Sequence, residues 1–173
     1  MEAKYKENFK LIKRCKMNEI KIGKDVYHET TIEDEVEVPG GPILRIKRLK
    51  AHVCQETGDI LMDGATLMRR DQGVVAYLIR KYSNLELPGN IADFIRRMIH
   101  LKFSEWADLA KLDQSTLSRA VTKTNVIDHY AALVLVSLAA DFITGGKSGR
   151  NFIENTKRVG VEISIPVEAE EVA

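Results

Sequence analysis

The sequence predicts an α+β chain in which a small unit of β-hairpin and helix is followed by an all-α unit of consecutive short helices. Two observations carry this. Period-two alternation holds through residues 26–38 and an extended pattern resumes at residues 43–54, whereas helical spacing with capping residues dominates from residue 64 to residue 143. The sharpest break between them, Leu87-Pro88-Gly89-Asn90, stops one helix and offers Asn90 as cap to the next. The boundaries read as 1–84, 85–146 and a polar tail at 147–173, with the linker at residues 83–90.

In residues 26–38, Ile32, Val36 and Val38 fall on one face and Glu33, Glu35 and Glu37 on the other, as a half-buried strand requires. Pro39-Gly40-Gly41-Pro42 breaks the run, and residues 43–54 resume it with basic rather than acidic outward positions. A hairpin through this turn sets charges of opposite sign face to face. A short strand at Ile60-Leu61-Met62 then gives way at Asp63-Gly64 to a helix whose buried face is Leu67, Asp71, Val74, Val75, Leu78, Ile79 and Tyr82, ending near Ser83-Asn84.

Past the linker, Ile91, Phe94, Ile95, Met98 and Leu101 share one helical face, Trp106, Ala107 and Ala110 a second, and Leu117, Ala120 and Val121 a third. The next helix, residues 126–143, is apolar nearly all round between Tyr130 and Ala140. Such a helix belongs either at the centre of the unit or in a dimer seam. Beyond Gly145 the chain turns polar, with one further strand expected at Val161 to Val167.

Composition narrows the function classes. The formal net charge is +1, with 45% hydrophobic residues over 173, enough for a substantial core. No apolar run reaches the ~18 to 20 residues of a membrane span, and the charged start is unlike a signal peptide, so a cytoplasmic protein without membrane contact is expected. The ends differ in sign. Lys4, Lys6, Lys10, Lys13, Arg14, Lys16, Lys21 and Lys24 crowd the first residues, whereas Glu162, Glu168, Glu170 and Glu171 mark the last. Such ends invite partners or each other, or remain a solvated basic N-terminus and a frayed acidic tail. Neither a histidine pair at i, i+4 nor a triad context is present, and the GGKS at 145–148 follows a helix and lacks the first glycine of a phosphate loop. Nothing indicates an enzyme, and no cofactor is expected.

Residues 103–122 supply what a helix-turn-helix requires. Ala107 is small where two helices cross, Trp106, Ala110, Leu112, Leu117 and Ala120 pack the angle, and Asp113 can cap the second helix through the amide of Ser115 or Thr116. Gln114, Ser115, Thr116, Ser118, Arg119, Thr122 and Lys123 then face outward. Arg119 suits guanine and Gln114 adenine through paired hydrogen bonds, Ser115, Thr116 and Ser118 suit base edges or phosphates, and Lys102, Thr122 and Lys123 suit phosphates. The alternative is the polar face of an ordinary helix. Local charge decides little, since Arg96, Arg97, Lys102, Lys111, Arg119 and Lys123 only modestly outnumber Asp93, Glu105, Asp108 and Asp113.

The stretch Arg96 to Arg119, ending in Asp113-Gln-Ser-Thr-Leu-Ser-Arg119, resembles the XRE-type helix-turn-helix of phage repressors and antitoxins. The order of Cys15-Lys-Met-Asn18, a hairpin, Cys54-Gln-Glu-Thr57-Gly58-Asp59 and a helix is similar to that of MqsA-type antitoxins, whose N-terminal zinc domain carries two Cys-x-x-Cys pairs. The resemblance implies a sequence-specific repressor or autoregulator, dimeric on a palindromic operator in double-stranded DNA, or alternatively an antitoxin whose N-terminal unit neutralises a toxin protein. Asn18 and Thr57 stand where that family has its second cysteines, so a zinc-free relative is expected, with no metal site. Cys15 and Cys54 are then side-by-side buried thiols, a reversible disulfide, or ligands joined by His28 or His52. Lys111 stands where the family has a glycine with positive φ, so either the turn differs or strain is accepted.

Overall fold

The computed structural model describes residues 19–123, 125–145 and 169–172, together with the backbone of 13–15. The chain runs β1 (Lys13–Cys15), β2 (Glu19–Ile22), β3 (Asp25–Glu37), β4 (Ile43–Cys54), β5 (Ile60–Leu61), α1 (Gly64–Lys81), α2 (Gly89–Met98), α3 (Phe103–Leu109), α4 (Gln114–Thr122), α5 (His129–Thr144) and β6 (Ala169–Glu171). It is a mixed α+β architecture in which one antiparallel sheet, ordered β1-β2-β3-β4-β5, meets five helices; β6 also pairs with β4.

The expected hairpin forms. Its turn closes through Gly41 N–H donating to the Val38 carbonyl at 2.8 Å, with Gly40 at φ 64°. Registers Val36↔Leu44 and Ile32↔Leu49 keep apolar residues on the covered face, and the register shifts between Ile32 and Asp34, where Arg48 takes φ 60°. Opposite charges meet across the ladder: the Arg45 guanidinium lies 3.0 Å from Glu35 and 3.7 Å from Glu33. Being solvent-facing, such pairs contribute at most about 1 kcal/mol each.

The described parts of both charged ends are paired into the sheet, with Lys21 and Lys24 exposed. Part of the basic N-terminus forms β1 and β2, with Ile20 opposite Tyr27 of β3. The acidic tail forms β6 on the edge of β4, opposite Leu44, Arg45 and Ile46. β1, β2 and β3 follow one another closely along the chain, whereas β6 joins a segment distant in sequence, a pairing that a local pattern cannot reveal. The strand expected at Val161 to Val167 lies outside the described residues.

α1 starts where expected, because the Asp63 carboxylate accepts the Thr66 amide at 2.6 Å, and ends at Lys81, slightly short of Ser83. Its Val74, Val75, Leu78 and Ile79 lie in the same core as Leu44, Ile46 and Leu49 of β4. That core continues without interruption through Leu87, Ile91, Ile95, Trp106 and Leu117 to Leu135 and Ala139 of α5, so elements on both sides of residues 84/85 share it. Polar ties reinforce the contact: Gln72 donates to the Phe142 carbonyl at 2.9 Å, and Arg70 reaches Asp34 at 3.2 Å.

Of the two readings of the apolar helix, the central one is realised. α5 is central, with Ala131, Ala132, Leu135, Val136, Ala139 and Ala140 buried against α1, α2 and α3. Most of its apolar stretch is spent on the core, as the first reading requires, while Tyr130 is exposed and Leu133, Val134 and Leu138 are half-buried. Among the described residues no helix is long and apolar enough to cross a membrane.

Candidate nucleic-acid interface

α3 begins after Lys102, whose amide donates to the Glu105 carboxylate at 3.2 Å. It ends in a double closure: Lys111 N–H bonds the Asp108 carbonyl at 3.2 Å and Leu112 N–H bonds the Ala107 carbonyl at 3.0 Å. This is the Schellman pattern, whose penultimate residue must take positive φ. Lys111 does so, at φ 56°. Of the two alternatives for this turn, the strained one is realised, costing about 1 to 2 kcal/mol for a residue with a Cβ.

The chain then extends through Leu112 to Asp113, whose carboxylate accepts the Ser115 amide at 2.7 Å and whose carbonyl accepts from Thr116 at 3.0 Å. Hydrogen bonding from Ser115 holds the Asp113 carboxyl below the usual carboxylate range. The ionised cap thereby starts α4 at Gln114.

Packing fixes the angle between α3 and α4. Trp106 is fully buried, its indole N–H donating to the Ala131 carbonyl at 3.1 Å. Phe103 meets the indole edge-on, with centroids 5.9 Å apart. Arg96 covers the outer face of Phe103 at 5.5 Å while bonding Asp93 at 2.8 Å and the Leu101 carbonyl at 2.7 Å. Ala107 and Leu117 are buried as expected, and Ala120 and Val121 half-buried.

Two neighbouring residues act differently from their sequence reading. Gly89, read only as a breaker, is where α2 passes closest to α4: a Cβ there would lie 2.5 Å from the Ala120 carbonyl oxygen. Its amide also donates to the Asn125 carbonyl at 2.9 Å, beside an antiparallel bridge between Pro88 and Val126. Asn90 does not cap α2, because Pro88 holds that position; its side chain instead donates to the Pro39 carbonyl at 2.6 Å, tying the hairpin turn to the helix. Pro88, whose fixed φ and missing N–H suit the entrance of a helix, is the signal available in the sequence that the helix starts before Asn90.

With the inner face so occupied, Gln114, Ser115, Thr116, Ser118, Arg119, Thr122 and Lys123 are all exposed, gathered on the outer side of α4. The Arg119 guanidinium folds back along the helix, donating to the Ser115 carbonyl at 3.2 Å and the Thr116 hydroxyl at 3.4 Å. Thr122 donates to the Ser118 carbonyl at 2.8 Å. Lys102 lies on a different element, at the N-terminal cap of α3, with its ammonium 3.7 Å from Glu105. Chemically, the face offers hydrogen-bond donors and acceptors on a rigid rod, with cations at Arg119 and Lys123.

The strand order separates the two cysteines. β2 and β3 run between β1 and β4, so Cys15 and Cys54 lie three interstrand spacings apart, roughly 14 Å, beyond the ~7 Å reach of a disulfide. Side-by-side thiols are therefore corrected. Cys54 is buried and free, in a tight loop closed by Gly58 N–H on its carbonyl at 2.8 Å. Hydrogen bonds from the Thr57 side chain and amide, and from the Glu56 amide, hold its thiol below the ordinary range. His28 lies 3.6 Å from Glu19, and His52 pairs with Leu61 in the ladder. Among the described residues no group of three His, Cys, Asp or Glu side chains is arranged to hold a metal.

No known protein family, curated protein or solved structure matches this chain.

Proposed function

We propose that this protein is a sequence-specific DNA-binding regulator, a repressor or autoregulator, that lays α4 in the major groove. One observation carries the reading: α4 is capped by Asp113, locked from behind by Leu117 and Gly89, and presents six exposed polar side chains, with Lys123 exposed at its C-terminal cap. Positioning on a rigid element is what base readout needs, because side-chain contacts discriminate only when the backbone cannot shift. Arg119 would leave its loose bonds to Ser115 and Thr116 for guanine O6 and N7, and Gln114 would read adenine. Lys102, Thr122 and Lys123 would hold phosphates. A homodimer on a palindrome, with half-sites about one helical turn or ~10 bp apart, completes the proposal. Selecting bound duplexes from a random pool tests it; the expected winners carry twofold symmetry, and winners without a shared sequence would oppose it.

A second reading keeps the DNA-binding face and adds an MqsA-type antitoxin role for the N-terminal half. The tight loop after Cys54, closed by Gly58 N–H on the Cys54 carbonyl at 2.8 Å, favours it by standing after the hairpin where the family pattern has its second cysteine pair, although Thr57 replaces that pair's second cysteine. Co-purification with the product of an adjacent gene supports this role, and recovery of the chain alone contradicts it.

A further inference from the structure

The last strand is attached to the sheet rather than woven into it. β6 adds to the edge of β4, and Val172 N–H donates to the Ile43 carbonyl at 2.9 Å. Alternation sends its side chains to opposite faces. Ala169 packs on the core and Glu171 meets α1, where Lys81 and Tyr77 bond its carboxylate; Glu170 turns the other way, 2.7 Å from the Lys47 ammonium. Burial, and then Glu171, pushes the Tyr77 phenol up to about 12, while Lys81 and then Tyr77 hold the Glu171 carboxyl low. The edge of β4 thus matches a small residue, two acids on opposite faces, and a half-buried apolar residue. Backbone pairing with side-chain selection on alternate positions is recognition by strand addition.

Two features make this occupant exchangeable. The ladder spans three residues, and the flanking ion pairs are solvated, with side-chain exposures from 35% to 48%. Residues 146–168 intervene between α5 and β6, a stretch whose contour at ~3.3 Å per residue exceeds the diameter of a domain this size. Every copy carries one acceptor and one acidic strand, so reciprocal exchange leaves neither unfilled.

We propose that the edge of β4 is a strand-acceptor site for an acidic extended peptide, and that a second copy of the chain supplies it, two tails exchanging to close a dimer. This goes beyond the DNA-binding reading and stands or falls separately from it.

Charge-reversed full-length chains provide the test. Lys47→Glu/Lys81→Glu repels every wild-type tail, and Glu170→Lys/Glu171→Lys is repelled by every wild-type acceptor. Each variant alone is expected to lose hydrogen-exchange protection at the Val172 amide. Mixed at equal concentration, they match only between chains, so protection returns together with a 1:1 heterodimer in native mass spectrometry. Protection that never returns on mixing, yet is complete in a monomer carrying all four changes, overturns the exchange. As a second arm that needs only the tail variant, a labelled peptide of residues 166–173 is expected to bind Glu170→Lys/Glu171→Lys at least about tenfold more tightly than wild type, whose tail competes at high effective concentration. Equal binding to both chains overturns the acceptor site itself.

Discussion

A Cβ placed on Gly89 would sit 2.5 Å from the carbonyl oxygen of Ala120 and 2.7 Å from the α-carbon of Val121. Both neighbours are backbone, so no side chain can rotate away. Gly89→Ala therefore forces α2 and α4 apart, at about 1 to 3 kcal/mol of stability, and shifts α4 relative to the groove it is proposed to enter. At Gly64, in the first turn of α1, an added Cβ would meet nothing within 4 Å, so Gly64→Ala is expected to leave stability unchanged or raise it by about 0.4 to 1 kcal/mol. Urea denaturation of the two variants checks this, and equal losses would contradict the packing described.

Lys111 holds φ 56° at the end of α3. Lys111→Gly removes the clash of its Cβ but adds backbone freedom to the unfolded chain, for a net gain of about 0.5 to 1 kcal/mol. Lys111→Ala keeps the strain and should show almost none of that gain. Denaturant midpoints at fixed salt separate the two, and a gain in the alanine variant equal to that in the glycine variant would mean the left-handed backbone is not the cause.

Acid should weaken the helix starts first. The Asp63 carboxyl is held below its ordinary range by the Thr66 amide and side chain, and Asp113 by Ser115. A carboxyl lowered in the folded state contributes fully above the unfolded value of about 3.9 and loses that contribution as pH falls through the lowered folded value. Melting temperature should thus hold steady from about pH 7 to 5 and decline below about pH 4. Asparagine caps a helix without titrating, so Asp63→Asn/Asp113→Asn is expected to show a shallower acid decline. Melting curves across this range check it; parallel declines would contradict it.

Much of this fold is legible in the sequence wherever the information is local. Val36 and Leu44 announce their strands by alternation, the Pro39 to Pro42 turn joins them, and Asp63 and Asp113 mark helix starts with side chains that reach only two or three residues ahead. What stays hidden is set by distant pairing. Nothing near Glu171 reveals that it will meet Lys81 on α1, and nothing near Gly89 reveals the Ala120 carbonyl. Asn90 shows the same limit: its capping chemistry is genuine, but Pro88 fixed the helix start first and left the amide to Pro39. The outward residues of α4 were readable because burial of Leu117, Ala120 and Val121 leaves them only one side. Charge alone points to Lys102, which caps α3 rather than lying on α4.

The central claim is that α4 reads base sequence through Arg119 while Lys123 holds phosphate, and duplex binding by two single variants tests it most directly. On the selected operator, Arg119→Ala is expected to lose about 1 to 3 kcal/mol and to relax preference at one base pair. Lys123→Ala is expected to weaken all duplexes alike and to reduce the salt dependence by about one phosphate contact. If both variants bind the operator and random duplex as the wild type does, at every salt concentration, α4 is not the DNA-reading helix.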